Sequence, residues 1–316
     1  MFSPKIFALV PSYNHAPFIE RCLRSIFRQT LPPAKLLVID DGSSDDSIQI
    51  IERTLADCPF PAQLIARGNQ GLCRTLNEGF RHSAGYEYFA YLGSDDIWLP
   101  HFLERRAAQL QANPQAVMAY GNAFLIDETD RVTDSSADWD GYKFNDDRKM
   151  LLTGTAPVSS SVFYPRAALE KVRWNEDSRL EDFELYLKLS TFGEFVFDPE
   201  VHAAWRQHGY NTSGDITLML REVLDALERN AAILHLDAAQ IKHIERNINF
   251  RYAEIFVRGG SKKAAWQLAL KNWRGAENPA LALRVFSRLL LPNAILRFRR
   301  KLWQRQTAER FGTLES

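Results

Sequence analysis

Short apolar runs alternate with amphipathic stretches through the first 120 residues. Residues 6–10 (Ile-Phe-Ala-Leu-Val), 36–39 (Leu-Leu-Val-Ile) and 88–92 (Tyr-Phe-Ala-Tyr-Leu) are continuously apolar, with a weaker run at Leu64-Ile65 and another across residues 116–120. Runs of this length, apolar at every position, predict strands buried on both faces. Between the first two, Phe18, Ile19, Cys22, Leu23, Ile26 and Phe27 recur at helical spacing, with Glu20, Arg21, Arg24 and Arg28 on the other face. Leu31-Pro32-Pro33 ends that helix, since proline lacks the amide donor and clashes with the preceding turn. Ile48, Ile51 and Leu55 mark a second helix, Leu72, Leu76 and Phe80 a third, and residues 100–111 a fourth. Strand–helix alternation with short connections predicts an α/β fold, a mostly parallel, doubly wound sheet flanked by helices.

Polar clusters follow the central strands, at residues 11–14, 40–44 and 93–96. Open parallel sheets bind ligands at the carboxyl ends of their strands, so three clusters there are better grounds for a site than any one. The stretch Phe-Ala-Tyr-Leu-Gly-Ser-Asp-Asp-Ile-Trp-Leu-Pro, residues 89–100, delivers Asp95 and Asp96 to such an end. Side chains alternate along extended chain, so the two carboxylates point to different sides. One can hold a hard cation such as Mn2+ or Mg2+, and the other the loop or a substrate hydroxyl. Taken alone, Ser-Asp-Asp is also ordinary turn and helix-cap chemistry.

Composition narrows the classes. The 316 residues carry 39 basic and 39 acidic side chains, so no global field draws the chain to nucleic acid. Cys22, Cys58 and Cys73 have no metal-ligand or redox spacing, and read as free thiols in a reducing cytosol. No signal peptide and no stretch of transmembrane length is expected. The turn after the first strand has neither Gly-x-Gly-x-x-Gly nor a P-loop, so a bound nucleotide must be held by side chains and a metal.

Val10-Pro11-Ser12-Tyr13-Asn14, residues 25–30 (Ser-Ile-Phe-Arg-Gln-Thr) and residues 38–45 (Val-Ile-Asp-Asp-Gly-Ser-Ser-Asp) resemble the opening of family-2 glycosyltransferases. The likeness runs on through Asn69-Gln70-Gly71, residues 74–79, residues 92–96, residues 181–185 (Glu-Asp-Phe-Glu-Leu) and residues 205–208 (Trp-Arg-Gln-His). It covers about residues 1–215. It implies a GT-A fold and an inverting, metal-dependent transfer of sugar from a nucleotide-diphosphate donor, a UDP-sugar, to a hydroxyl of a cell-surface glycan or lipid-linked acceptor. By this resemblance the metal falls on Asp95, with Asp96, Arg206 and His208 beside the donor diphosphate and Asp182 as the base that deprotonates the acceptor. Pro11, Tyr13, Asp41, Arg74 and Asn77 are the expected nucleotide contacts, with Asp41 reading the base and Tyr13 stacking. Gly93 stands where the family often has a first carboxylate, which bears on metal affinity rather than on fold. The residues alone leave other readings open: helix-start charge for Asp182, a cap for Asp41, a core aromatic for Tyr13, a solvated helix face for Arg74 and Asn77. Trp98 and Trp205 could frame a sugar or belong to the core. The acid-rich segment 127–147, with Trp139 and Tyr142, could be a substrate loop, and Ser159, Ser160 and Ser161 could line the acceptor side.

From residue 216 onward the pattern turns helical. Arg284, Arg288, Arg297, Arg299, Arg300, Lys301 and Arg305 interleave with Leu289, Leu290, Leu291, Ile295, Leu296, Phe298, Leu302 and Trp303, with no acid between Arg284 and Arg305. A basic amphipathic helix bordered by tryptophan resembles an interfacial membrane segment, and a packed helix with a solvated face is the plainer alternative. The expected division is a donor-binding domain at 1–215 and a helical region at 216–316, in a cytoplasmic protein peripheral to the inner membrane face. Two other function classes compete: a nucleotidyltransferase, which usually needs a Gly-rich basic loop after the first strand, and a catalytically silent sugar-nucleotide-binding module.

Overall fold

The computed structural model describes residues 4–139, 142, 146–209 and 211–314. The chain opens with β1 (Ile6–Ser12), α1 (Ile19–Phe27), β2 (Lys35–Asp40), α2 (Ser47–Leu55), β3 (Ala62–Ala66), α3 (Leu72–His82) and β4 (Tyr88–Tyr91). It continues with β5 (Ile97–Trp98), α4 (Phe102–Ala112), β6 (Met118–Ile126), β7 (Val132–Ser135), α5 (Asp147–Leu152), β8 (Tyr164–Pro165), α6 (Arg166–Lys171), α7 (Phe183–Leu189) and β9 (Phe195–Arg206). Five helices close it: α8 (Ile216–Asn230), α9 (Ala238–Arg258), α10 (Lys262–Asn272), α11 (Pro279–Leu290) and α12 (Asn293–Phe311).

A five-stranded sheet has the order β3-β2-β1-β4-β8. β1 is buried at every residue, as its unbroken apolar run requires, whereas edge strand β3 is only partly covered. The first four strands are parallel and β8 is antiparallel to β4. Parallel register sets Ser12 opposite Asp40 and Leu9 opposite Tyr91, so the turns after β1, β2 and β4 leave the sheet at the same end.

The run at 116–120 does not extend this sheet. It starts β6, which with β5, β9 and β7 makes a second sheet of order β5-β9-β6-β7. β5 follows the Asp95-Asp96 turn immediately and pairs antiparallel with the end of β9, Ile97 opposite Ala204. That pairing delivers the segment after β9, which is distant in sequence, to the turn after β4.

Val223 and Leu227 of α8 and Ile248 of α9 belong to the same continuous core as the sheet strands. The basic stretch of the tail is not one helix. Pro292 separates α11 from α12, which meet at 115°. Among the described residues no single helix is long and apolar enough to cross a membrane, although this bent pair would be by length and composition. α12 lies along β7: Trp303 Nε1 donates to Asp134, and Phe311 and Leu314 pack on a small cluster of Ile97, Ile126, Val132 and Ala204.

Candidate active site

A cleft of about 2100 Å3 opens at the carboxyl end of the parallel sheet. Pro11, Tyr13, Asp41, Asp95, Asp96, Asp182 and His208 all line it, so carboxylates from three distant segments share one space. Its other walls come from Ser159, Trp139, Trp205 and the helices α9, α11 and α12.

The turn after β2 is tied to the turn after β1. Buried Asp40 accepts from the Ser43 amide at 2.8 Å and from the Ser12 hydroxyl at 3.1 Å. Asn14 sits at φ 53°, a left-handed position that asparagine tolerates, and accepts from the Ser44 amide at 2.7 Å. Asp41 accepts from the amides of Gln70 and Gly71, each at 2.8 Å, and is ion-paired with Arg67. It therefore anchors the 67–71 loop. Oδ1 is taken by both Gln70 and Arg67, whereas Oδ2 accepts from Gly71 and has a second acceptor position for a ligand donor. Gly42 makes this approach possible, since a Cβ there would lie 2.7 Å from the Asn69 nitrogen. Tyr13 is 48% exposed on the cleft wall, free to lie against a ring.

Asp95 is the centre of the cleft's polar wiring. Its Oδ2 lies 2.9 Å from His208 Nε2 and 3.4 Å from the Asn211 amide nitrogen, and its Oδ1 lies 3.7 Å from His15 Nδ1. His15 also meets the Ser94 hydroxyl at 2.7 Å. His208 stacks on Phe18 with 5.0 Å between centroids, which fixes its ring. His15, Asp95 and His208 each offer a ligand atom, all within 4.8 Å of one another. Burial raises the Asp95 carboxyl, but the His208 bond and the charges of both imidazoles outweigh it and hold the group below its ordinary value. Burial lowers the His15 imidazole. The strand alternation expected for the pair does not apply, because Gly93–Asp96 is a turn closed by the Asp96 amide on the Gly93 carbonyl at 2.9 Å; Asp96 accepts the Arg206 amide at 2.8 Å. Burial, then the Asp95 charge, pushes its carboxyl well up. Gly93 lies against this pair: a Cβ there would be 3.0 Å from Asp95 Oδ1 and 3.3 Å from Asp96 Oδ2. A carboxylate in its place would crowd both, which accounts for glycine at a position where the family often has an acid.

Asp182 caps α7, its Oδ1 accepting the Phe183 amide at 2.6 Å. Burial raises its carboxyl to about 6. Glu181 beside it is raised to about 8 by burial and then by Asp182. Both neighbouring carboxyls are thus held above their ordinary range, where a carboxylate is a stronger base.

Several expected contacts are not brought to the cleft. Arg206 is fully buried and committed: Nε donates to the Asp95 carbonyl at 2.7 Å, Nη1 to the Asp127 carbonyl at 2.7 Å, and Nη2 pairs with Asp130. Phe18 covers its face. It holds the Asp95 turn from behind and cannot also clamp a diphosphate. Arg74 and Asn77 face the other side of α3. Asn77 Nδ2 donates to the Trp174 carbonyl at 2.9 Å and Arg74 Nε lies 3.4 Å from Glu176, while Leu72 and Thr75 face the cleft. Trp98 is core, stacked on Phe102 with its indole N–H on the Ser160 carbonyl, whereas Trp205 lines the cleft. Tyr142 is buried and accepts the Val158 amide, so of Trp139 and Tyr142 it is Trp139 that faces the cleft. Of that segment, residues 140, 141 and 143–145 lie outside the described residues. Ser159 lines the cleft, but Ser160 and Ser161 are buried. His15 and Glu181 were legible only as loop and motif neighbours; their approach to Asp95 and Asp182 depends on tertiary structure.

Comparison with known proteins bears on this arrangement. The family model described as glycosyl transferase family 2 matches residues 7–173. An uncharacterized glycosyltransferase of Nostoc sp. is 33% identical over 173 residues, 53% of this chain and 53% of that protein. Chondroitin synthase of Escherichia coli is 28% identical over 211 residues, 66% of this chain and 30% of that one. The chain thus spans about half or less of the length of these curated relatives. Among solved structures, a mannosyltransferase from Pyrobaculum calidifontis in complex with GDP-Man and Mn2+ superposes with a TM-score of 0.62 at 17% identity, covering 98% of this chain and 86% of that one. TarS 1–349 of S. aureus in complex with UDP-GlcNAc gives 0.58 at 16% identity, covering 99% and 93%. The architecture is that of GT-A glycosyltransferases.

Proposed function

Because the chain belongs to glycosyl transferase family 2, we propose that it moves a sugar, with inversion, from a nucleotide-diphosphate donor to a hydroxyl of a glycan or lipid-linked acceptor. The observation that carries this reading is the sharing of one cleft by Asp41, Asp95 and Asp182. UDP-sugars and GDP-sugars are the donors to try first, after the ligands of the two structural neighbours.

The residues around Asp95 fit a divalent cation. One carboxylate and two imidazoles converge, with Asp95 and His208 atoms 2.9 Å apart. Cis ligands around an ion with bonds of about 2.1 Å stand about 3 Å apart. Asp95, His208 and His15 would hold the ion; carboxylate suits Mn2+ and Mg2+ alike, whereas imidazole favours the transition metal. The bound ion supplies neutralisation of the charge that develops on the departing diphosphate. Asp182 takes the proton of the attacking hydroxyl at Oδ2, since Oδ1 holds the Phe183 amide. A base in this position contributes about a hundred- to ten-thousand-fold. Attack from the face opposite the leaving group inverts the anomeric centre and needs no covalent intermediate.

Residues 1–215 carry the donor and base groups in this reading, and 216–316 form the acceptor-side wall and a membrane contact. Ile295, Phe298 and Leu302 of α12 are exposed at three- and four-residue spacing, flanked by Arg297, Arg299, Arg300 and Lys301. An exposed apolar stripe edged by cations suits the inner face of the cytoplasmic membrane.

The test is release of nucleoside diphosphate from a panel of UDP- and GDP-sugars with Mn2+. Slow release that is lost in Asp95→Ala is the expected result. Turnover only of a nucleoside triphosphate with a sugar 1-phosphate, releasing pyrophosphate, would indicate a nucleotidyltransferase, and no turnover of either kind a silent binding module.

A further inference from the structure

The turn that carries Asp95 is held from behind by a network outside the cleft, and Asp130 is its centre. Asp130 lies between β6 and β7 and is 4% exposed. One of its carboxylate oxygens pairs with Arg206 and the other with Arg21 of α1. One side chain thus ties together α1, the 127–131 turn and the end of β9. Arg206 passes the hold on, since its Nε donates to the Asp95 carbonyl at 2.7 Å and its amide to Asp96 Oδ1 at 2.8 Å. The backbone of Asp130 is itself strained. Its φ of 66° lies in the left-handed region, which a residue with a Cβ keeps only where its surroundings enforce it. They do so from both sides. The Asp130 amide donates to the Asp127 carbonyl at 3.2 Å, and the Asp130 carbonyl accepts the Leu314 amide at 3.0 Å. The second bond belongs to a strap, residues 312–314, that follows α12. The Val132 amide donates to the Gly312 carbonyl at 3.1 Å, and Arg131 and Thr313 form an antiparallel bridge. Phe311 and Leu314 pack on the cluster that holds Ile97, next after Asp96, and Ala204, its partner in β9.

We infer that Asp130 is a positioning residue for the Asp95–Asp96 turn, kept in its left-handed conformation by the strap after α12. Arg206 is fully buried, so without the Asp130 charge it has no water to turn to. Its other side-chain bonds run to the Asp95 and Asp127 carbonyls, which orient the guanidinium but do not neutralise it. A guanidinium freed of its counter-ion shifts, and the Asp95 carbonyl it holds shifts with it. The remaining partners of Asp95 give no independent anchor on this side. His208 and Asn211 directly follow Arg206, and Asn211 also donates to the Arg206 carbonyl at 3.1 Å. The placement of Asp95 is therefore decided in part by residues that touch no ligand. The strap begins where α12 ends, so the helix with the exposed apolar stripe closes on the same network. The inference rests on the transferase reading for what the turn serves, and adds what holds the turn in place.

The test is hydrogen exchange, read by mass spectrometry, on the full chain free of metal. Asp130→Asn keeps the shape and removes the charge, and asparagine tolerates the left-handed backbone. Gly312→Ala acts on the strap alone: its φ of 72° and ψ of −149° suit only glycine, yet a Cβ there would meet no atom of the described residues within 4 Å. In both variants peptides covering 93–98 and 203–208 are expected to exchange at least about tenfold faster, with those of β1, β2 and β3 unchanged. Calorimetric titration of Mn2+, with UDP and then with GDP, is expected to show binding weakened by about tenfold. Loosening of the turn in Asp130→Asn alone upholds the residue and removes the strap from the account. Should Asp130→Asn loosen the whole sheet, Gly312→Ala decides. Unchanged exchange at the turn in both variants overturns the inference, as does faster exchange spread evenly over the sheet in both, or Mn2+ affinity equal to that of the wild type in a variant whose turn has loosened. If the wild type binds no Mn2+ with either nucleotide, the transferase reading fails, while exchange at the turn still decides this inference.

Discussion

The two walls of the cleft are built on opposite principles. On the sheet side Asp40, Asp41, Asp95 and Asp96 each accept from backbone amides or fixed side chains of another segment. Among the described cleft-lining residues of α9, α11 and α12, Glu254 is the one carboxylate beside several arginines. A satisfied wall holds its geometry before anything binds, as pre-organised electrostatics requires. The sheet side is therefore fixed by its own hydrogen bonds and the helical side is rich in arginine, which gives each its own way of breaking.

The largest effect is expected at Asp95. Asp95→Ala removes the carboxylate between two imidazoles, and donor turnover should fall by about two to four decades. Nucleoside diphosphate release measures this. A fall of less than tenfold would move the ion elsewhere. Asp182→Asn comes next, with a loss of about a hundred- to ten-thousand-fold in transfer. In the wild type the rate should rise through pH about 6 as this carboxyl ionises, and the variant should lack that limb.

The same substitution has an opposite effect on stability. Below pH about 4 both folded and unfolded Asp182 are protonated and it contributes nothing. As pH rises the unfolded chain gives up its proton first, so stability falls until the folded group ionises near 6. Asp182→Asn should therefore raise the melting temperature at neutral pH and leave it unchanged near pH 4. A loss of stability at neutral pH would mean that the charged carboxylate is needed structurally.

Arg206 separates a structural cation from a substrate clamp. Arg206→Met removes a fully buried guanidinium, leaves the Asp95 and Asp127 carbonyls without their donor and Asp130 with Arg21 alone, which should cost about 3 kcal/mol of stability in denaturant unfolding. A direct clamp would show a raised KM for donor with unchanged unfolding. The smallest effect is expected at Arg74, half-exposed against Glu176. Arg74→Ala should change stability by no more than about 0.5 kcal/mol and donor KM less than about twofold.

The difference between these two arginines marks where the sequence stops being legible. Unbroken apolar runs at 6–10, 36–39 and 88–92 could only be buried strands, and the polar turns after them had to leave at one end of a parallel sheet. Asp95 and Asp96 were readable as a pair delivered to that end, but not their directions, because they lie in a turn closed from Asp96 to Gly93 rather than in extended chain. Arg206 and Arg74 carry the same side chain, and nothing local says which is buried. Arg206 is committed by β5 pairing with β9 and by the 127–130 loop. Asn77 is committed by the Trp174–Glu176 turn, nearly a hundred residues away. His15 could not be told from a loop histidine until β9 carried His208 alongside Asp95. The tail's amphipathic pattern was visible, but Pro292 turns it into two helices, and that bend brings Arg300 to Arg258.

The central claim is that Asp95, between His15 and His208, holds the ion that serves the donor diphosphate. Its most direct test is calorimetric titration of Mn2+ into wild-type protein and Asp95→Ala, each in the presence of UDP and then of GDP. The account predicts nucleotide-enhanced Mn2+ binding to the wild type with at least one of the two, and none to the variant. Equal binding by both proteins, or no binding by the wild type with either nucleotide, would contradict it.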